Sequence, residues 1–252
     1  MKYCGTTKGN QWTTENTNLV LHSKDVDLLA HRVVAAAQGR RGRWDLAAET
    51  LAGLVARNPE DHGNWYLAAV VAARAGDAER WQRLCRAMLD RFHETDNAEI
   101  AERTAKCCLL IRTFGAEQQE AGRLAEHAVE MATGGVIPWA LNARALASYR
   151  SGNFADALAS AEASLAAFGP GAPRDFQVPA HCVRAMALVG LGQIDAARAA
   201  LGAVSALGLP AGSPATERDP GPGWIDPLIS EILYREAEAL INHDPVLPTD
   251  PE

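Results

Sequence analysis

The sequence predicts an all-α protein built from stacked helical hairpins, and three observations support that fold class. Alanine, the residue with the highest helix propensity, accounts for 48 of the 252 residues, whereas only 15 are aromatic. A turn segment that begins with glycine recurs along the chain, and the stretches between these turns carry apolar residues at i, i+3, i+4 and i+7. A core of small side chains closes only where backbones approach tightly, which favours packed helices and makes a β-sandwich or barrel a poor fit.

The turn segments are regular enough to define hairpins. Gly42 and Gly76 begin the first two and are 34 residues apart, and Gly152 and Gly192 begin later copies. Glycine adopts a positive φ at the end of a helix without steric cost, and a polar residue such as Asn153 can cap the next helix. Each segment therefore predicts the turn between two antiparallel helices.

Five hairpins and one further helix follow from this pattern. The predicted pairs are 27–39 with 43–57, 62–75 with 77–92, 97–113 with 117–132, 138–150 with 153–167, and 179–190 with 193–207. The third pair is the least regular, because its turn around Gly115 matches the repeat poorly. Residues 225–242 predict an amphipathic helix that caps the stack, and Trp224 is expected to dock it onto the last pair.

The segments outside the repeat region, 27–207, differ in composition. Residues 1–26 are rich in Thr, Asn and Lys and lack helical periodicity, which predicts a flexible N-terminal arm. Residues 208–224 form a Pro/Gly-rich loop before the capping helix, 225–242. Residues 243–252 are expected to be a disordered tail.

The hairpin pattern resembles the tetratricopeptide repeat, which has small residues on both helices, a Gly-x-aromatic turn and a closing proline. The first unit supplies Ala35, Gly42, Trp44, Ala47 and Pro59; the second Trp65, Ala69 and Gly76; the fourth Ala145, Gly152, Phe154 and Ala157; the fifth Ala185, Gly192, Ile194 and Ala197. The second unit places Trp81 where the small residue belongs. The resemblance implies a right-handed superhelical stack of about five hairpins with a C-terminal capping helix, acting as a protein interaction module.

Longer strings resemble the C-terminal repeat region of large bacterial serine/threonine protein kinases. They comprise residues 101–110, 149–157, 185–187 and 234–240, and the likeness covers roughly residues 43–241. The chain contains no Gly-rich phosphate loop, His-Arg-Asp loop or Asp-Phe-Gly metal ligand. The resemblance implies an alternative to a free-standing adaptor, namely a regulatory kinase region, detached or truncated, without the catalytic domain.

Charge and hydropathy disfavour other classes. The net charge of −7 and the pI near 5.5 argue against nucleic acid and anionic membranes as partners. The longest aliphatic run, residues 67–73, is much shorter than the roughly 20 residues of a membrane-spanning helix, and the N-terminus lacks the apolar stretch of a signal sequence. These features predict a cytoplasmic location. The five cysteines are odd in number, so the helical ones are expected to be small buried hydrophobes.

Catalytic and metal-binding patterns are absent from the sequence. Cys107 and Cys108 are adjacent, so they point about 100° apart on a helix, and no Cys-x-x-Cys or His-x-x-x-His pair accompanies them. The seven histidines are scattered, and Ser160 and Ser164 share a helix face without a base in register. We therefore expect a protein that is not an enzyme and has no cofactor or metal.

The remaining candidate is a groove, because the first helices of tetratricopeptide hairpins line the concave face of the stack. The family's groove positions correspond to Arg32, Arg40, Tyr66, Arg74, Lys106, Asn142, Tyr149 and Arg150. This set is basic within an acidic protein. We hypothesise that the groove holds an acidic peptide segment or a chain-terminal carboxylate, with arginines as forked donors and tyrosines as stacking surface. The alternative is an ordinary solvated face. The identity of the partner and the oligomeric state are not determined by the sequence.

Overall fold

The described part of the protein is a stack of five helical hairpins followed by one more helix. The computed structural model describes residues 23–169, 171–206 and 224–242. The hairpins are α1 (Ser23–Arg40) with α2 (Trp44–Arg57), α3 (His62–Ala75) with α4 (Ala78–Phe92), α5 (Ala98–Leu109) with α6 (Ala116–Met131), α7 (Ile137–Arg150) with α8 (Phe154–Phe168), and α9 (Arg174–Gly190) with α10 (Ile194–Ala206). A 3₁₀ turn (Gly134–Val136) precedes α7, and α11 (Ile225–Asn242) comes last. No strand occurs in these ranges, so the all-α prediction is confirmed.

The observed helix bounds differ from the predicted ones by more than one residue in three places. Helix α1 begins at Ser23, inside the predicted arm. Helix α5 ends at Leu109, where the sequence predicted 113. Helix α9 begins at Arg174 and carries Pro179 in its interior, although the prediction began the helix at that proline. The rest of the predicted arm and loop and the whole predicted tail lie outside the described residues.

Glycine makes the turn in the four regular hairpins, as predicted. The φ angle is 72° at Gly42, 73° at Gly76, 79° at Gly152 and 73° at Gly192, which is the left-handed region that side chains with a Cβ rarely adopt. The predicted side-chain cap is wrong, because Asn153 stands at the N-cap of α8 without a side-chain hydrogen bond. Its backbone carbonyl accepts the first helical bond, from the Ala157 N–H at 2.9 Å, as any N-cap carbonyl does.

Alanines occupy contacts between helices. The small positions of the repeat pattern are completely buried: Ala35, Ala47, Ala69, Ala145, Ala157, Ala185 and Ala197. The cysteines of the described helices, Cys85, Cys107, Cys108 and Cys182, are also buried, as expected for small hydrophobes. Burial raises the pKa of the Cys107 and Cys182 thiols, which keeps both protonated. The alanine excess therefore serves close packing of the hairpins.

Trp81 departs from the repeat pattern and is nevertheless part of the core. Its indole is buried, and the Nε1–H donates a hydrogen bond of 3.0 Å to the carbonyl of Cys107 near the end of α5. The side chain thus fills space beside the irregular third hairpin and satisfies a carbonyl of the short helix α5. None of the described helices is both long and apolar enough to cross a lipid bilayer.

Enlarging a buried alanine should destabilise the stack. We expect Ala157→Leu and Ala197→Leu each to lower the free energy of unfolding by about 1–3 kcal/mol, because the added carbons overpack a helix contact. Ala159→Leu and Ala199→Leu are matched controls, since these alanines are exposed on the same two helices. Urea denaturation measures the difference. Unchanged stability in both buried variants would contradict the helix register.

Candidate functional site

The first helices of the hairpins, α1, α3, α5, α7 and α9, form one surface, called here the first-helix face. Helix α11 packs against α9 and α10, as expected of a capping helix, and it also reaches α3 in the second hairpin. Its apolar side chains Leu228, Ile229 and Leu233 are each 1% exposed. Because it contacts hairpins near both ends of the stack, α11 lies along this face rather than only at the last hairpin.

Trp224, which precedes α11, packs against the first hairpin. A Cβ added at Gly39 of α1 would lie 2.7 Å from the Trp44 ring and 3.3 Å from the Trp224 ring, so both indoles approach α1 at this glycine. The prediction that Trp224 docks the helix onto the last pair is therefore wrong. The physical reason is that Gly39 has no side chain, which lets Trp224 pack beside Trp44 against α1.

Three acidic residues of α11 meet three of the predicted groove residues. The Tyr66 hydroxyl donates to Asp226 Oδ1 at 3.2 Å. Arg74 donates from Nε and Nη2 to the two oxygens of Glu231, both at 3.0 Å, and only 13% of the arginine side chain and 12% of the glutamate are exposed. This bidentate geometry is the strongest form of arginine–carboxylate contact.

Arg150 forms the third contact and is the most enclosed. Its side chain is fully buried and pairs with both carboxylate oxygens of Glu236. Nε also donates to the carbonyl of Leu109 at 2.8 Å, and Nη2 to that of Leu110 at 2.9 Å. These two carbonyls lie at the C-terminal end of α5 and lack partners within the helix, so the guanidinium caps α5 while it holds α11.

Lys106 is neutralised within the chain. Its ammonium lies 2.6 Å from Glu102 one turn earlier on α5, and both side chains are about 95% buried. The ammonium also lies 5.3 Å from the ring centroid of Tyr66 and 5.0 Å from that of Trp139, which are cation–π distances. Burial, followed by the charges of Asp226 and Glu102, raises the pKa of Tyr66 well above its usual value.

The other predicted groove residues lie in different surroundings. Arg32 donates to Asn64 at 2.8 Å and to Asp61 at 2.7 Å, and Arg40 is half-buried at the end of α1. Asn142 is buried with its Oδ1 unpartnered, and Tyr149 packs near Phe154 with ring centroids 6.0 Å apart. Five of the eight predicted residues are buried, namely Tyr66, Lys106, Asn142, Tyr149 and Arg150. The solvated-face alternative is therefore wrong for those five.

An open cavity of about 940 Å³ occupies the part of the first-helix face that α11 leaves uncovered. Leu29 and Val33 of α1 line it and are 56% and 57% exposed. Tyr66, Trp139 and Trp224 add aromatic surface. Its charged lining residues are the cations Arg32, Arg40, Arg103 and Lys106 and the acids Glu99, Glu102 and Asp226. The arrangement offers apolar contact surrounded by charges of both signs, with cations in slight excess.

The sequence argument missed the residues that complete the face. The amphipathic pattern places Glu231 and Glu236 on the polar side of the capping helix, and it assigns no role to Asp226, Glu102 or Trp139 in the groove. Charge complementarity was the signal in the sequence that could have predicted these contacts, because a helix with acidic residues follows a basic set of groove positions in the same chain. Within the described ranges, no three His, Cys, Asp or Glu side chains gather as metal ligands would.

Removing the Arg150 guanidinium should destabilise the fold more than removing a surface ion pair. We expect Arg150→Met to lower the free energy of unfolding by about 3 kcal/mol, because two carbonyls and Glu236 lose their partner. Arg184→Met is the control, since Arg184 and Glu162 form an exposed pair expected to contribute less than about 1 kcal/mol. Equal losses in urea denaturation would contradict the role of Arg150.

Stability should fall at alkaline pH through Tyr149. Burial, and secondarily the charge of Glu236, raise the pKa of Tyr149 to about 12 from its ordinary value of 10. Between pH 10 and pH 12 the unfolded chain loses the Tyr149 proton that the folded chain keeps. The stability that the neutral tyrosine contributes is therefore fully present below pH 10 and is lost as the pH rises towards 12. Tyr149→Phe should show a shallower loss than wild type in urea denaturation across this range. If the free energy of unfolding fell equally steeply with pH in both proteins, the role of Tyr149 would be contradicted.

The comparisons with known proteins identify the fold. No protein-family model matches the sequence, and no curated protein matches it. The structure is similar to the crystal structure of PilW, a widely conserved type IV pilus biogenesis factor, with a TM-score of 0.52 and 20% identity over 84% of this chain and 91% of PilW. A mutant of MamA matches with a TM-score of 0.40 and 16% identity over 73% of this chain and 98% of that protein. Together with the five hairpins, the similarity to PilW shows that the chain has a tetratricopeptide-like helical repeat fold.

Proposed function

We propose that the protein is a non-catalytic scaffold that binds a peptide or partner protein on its first-helix face. The observation that carries the proposal is the open cavity on this face, with Leu29 and Val33 exposed in its lining. Exposed aliphatic side chains beside aromatic rings are typical of protein-binding surfaces. A stack of helical hairpins also supplies an extended surface suited to a chain-like ligand.

The chemistry of the cavity favours a partner segment with both apolar and acidic side chains. Leu29, Val33 and Trp139 offer apolar contact, and Arg103, although paired with Glu99 at 2.6 Å, is a third exposed. An incoming carboxylate can share such a guanidinium, which has five donors. A cytoplasmic location and the absence of nucleic-acid and membrane partners stay predictions from charge and sequence.

Substitutions on α1 test the proposal. Immobilised wild-type protein, Val33→Glu and Val34→Glu are incubated with lysate from the source organism, and the retained proteins are identified by mass spectrometry. Val34 is a matched control because it is also exposed on α1 but does not line the cavity. We expect wild type and Val34→Glu to retain the same specific proteins, and Val33→Glu to lose at least about 90% of them, because a charge in an apolar contact costs binding energy.

Both variants must be folded for this comparison to report on binding. Far-UV circular dichroism and the thermal midpoint establish that both variants keep the helical stack. Retention of the same proteins by all three baits would contradict binding at the cavity. Loss from both variants would equally contradict it, because the effect would then not depend on the cavity.

A kinase-associated role is the second candidate, and the resemblance of residues 101–110, 149–157, 185–187 and 234–240 to bacterial kinase C-terminal regions supports it. Three of the strings that resemble bacterial kinase C-terminal regions meet at a single side chain. Arg150 belongs to residues 149–157, its acceptors Leu109 and Leu110 belong to 101–110, and Glu236 belongs to 234–240. The neighbouring upstream reading frame tests the idea. A kinase or WD-type repeat segment encoded there would support it, and an unrelated gene would favour the free-standing adaptor.

A further inference from the structure

Helix α11 is held on the first-helix face in the manner of a bound ligand. Its apolar side is buried, and Asp226, Glu231 and Glu236, spaced five residues apart, contact Tyr66, Arg74 and Arg150 respectively. These contacts span α3 to α7 in space and 86 to 160 residues in sequence. An amphipathic helix lying in a groove, with apolar anchors and flanking charges, is a common mode of peptide recognition.

The connection of α11 to the stack does not impose its position. Residues 207–223 join α10 to the segment that starts at Trp224, and 17 residues can extend over roughly 55–60 Å. The turns inside the regular hairpins contain only two or three residues, so they fix how paired helices meet. The side-chain contacts on the first-helix face, rather than the connection, therefore determine where α11 docks.

The fit of α11 is also imperfect. Ser230 is 1% exposed, and its Oγ is buried without a hydrogen-bond partner. A buried hydroxyl without a partner loses its hydration and gains nothing in exchange. Alanine in place of Ser230 would remove this cost and leave the acidic residues of α11 unchanged.

We propose that the α11-covered part of the first-helix face is a binding site for an acidic amphipathic helix of a partner protein, and that α11 is the intramolecular ligand with which this helix competes. The inference rests on the proposed function, because the same face receives the partner. The partner helix carries an apolar stripe like that of Leu228, Ile229 and Leu233 and carboxylates that reach Arg74 and Arg150.

Competition has a measurable consequence. A helix on the same chain as its site acts at an effective concentration of up to roughly millimolar, so a free helix binds wild type only weakly. A substitution that weakens the docking of α11 without altering the hairpins raises the fraction of molecules whose site is open. The apparent affinity for a free helix then rises in proportion. Substitutions for this purpose belong on α11 itself, since the receiving residues Tyr66, Arg74 and Arg150 then stay intact.

The probe is a fluorescent synthetic peptide with the sequence of residues 224–242, added to the full-length chain. Fluorescence anisotropy measures its dissociation constant on wild type, Glu231→Lys and Glu238→Lys. Glu231→Lys sets a lysine against Arg74, whereas the half-buried Glu238 undergoes the same charge change elsewhere on α11. We expect binding to Glu231→Lys to be at least about tenfold tighter than to wild type, and binding to Glu238→Lys to be unchanged.

A charge exchange tests whether the peptide occupies the α11 site. The peptide that carries Glu231→Arg should bind the full-length Glu231→Lys protein at least about tenfold more weakly than the wild-type peptide does, because Arg74 then faces a like charge. The same altered peptide should regain affinity for an Arg74→Glu protein. Equal binding of both peptides to every protein would overturn the proposal.

A measurement on wild type keeps the proposal testable if Glu231→Lys does not fold. Hydrogen–deuterium exchange of the full chain is followed with and without an excess of the 224–242 peptide. This peptide carries no dye, and its mass is altered so that its fragments are distinguished from those of the chain's own α11. We expect the amides of the chain's own α11 to exchange about tenfold faster when the peptide is present, while those of α3 and α7 keep their protection. Unchanged protection of α11 at saturating peptide would overturn the proposal.

The failure of this inference is distinguishable from that of the proposed function. Loss of lysate partners from Val33→Glu with no peptide exchange would overturn only the competition with α11. Peptide exchange with no effect of Val33→Glu would overturn only the binding at the open cavity, because Val33 lines that cavity.

Discussion

The buried guanidinium of Arg150 is the interaction on which the arrangement of the stack depends. It donates to two carbonyls at the end of α5 and pairs with Glu236 of α11, while its own backbone ends α7. A buried cation is tolerated when it is hydrogen-bonded and its charge is balanced by a partner. One side chain therefore holds the end of the shortened helix α5, the first helix of the fourth hairpin and the last helix together.

The same principle extends along the first-helix face. Arg74, Lys106 and Arg150 are positive charges removed from water, and each is matched by a carboxylate, from α11 in two cases and from α5 in one. The protein as a whole is acidic, with a net charge of −7. Two of these buried cations, Arg74 and Arg150, hold α11 through its acidic residues, and the buried apolar side chains of that helix add hydrophobic contact.

Local sequence features predicted the hairpins because they act within a few residues. Gly76 and Gly152 end first helices in the left-handed conformation for which glycine alone carries little cost, and Ala157 fits where two helices touch. The basic set on the first helices also followed from the repeat register. One local prediction failed at Asn153, which stands at the N-cap of α8 but makes no capping hydrogen bond with its side chain.

The sequence by itself determined an all-helical repeat stack, because periodicity, turn glycines and small side chains are short-range properties. Only the tertiary structure decided what the residues of its first helices contact. The partners of Arg150 are 40 to 86 residues away, and the 17-residue connection before Trp224 permits many positions of α11. Charge neutralisation and apolar burial select one of them, and this selection turns a predicted cap into a helix lying along the candidate binding face.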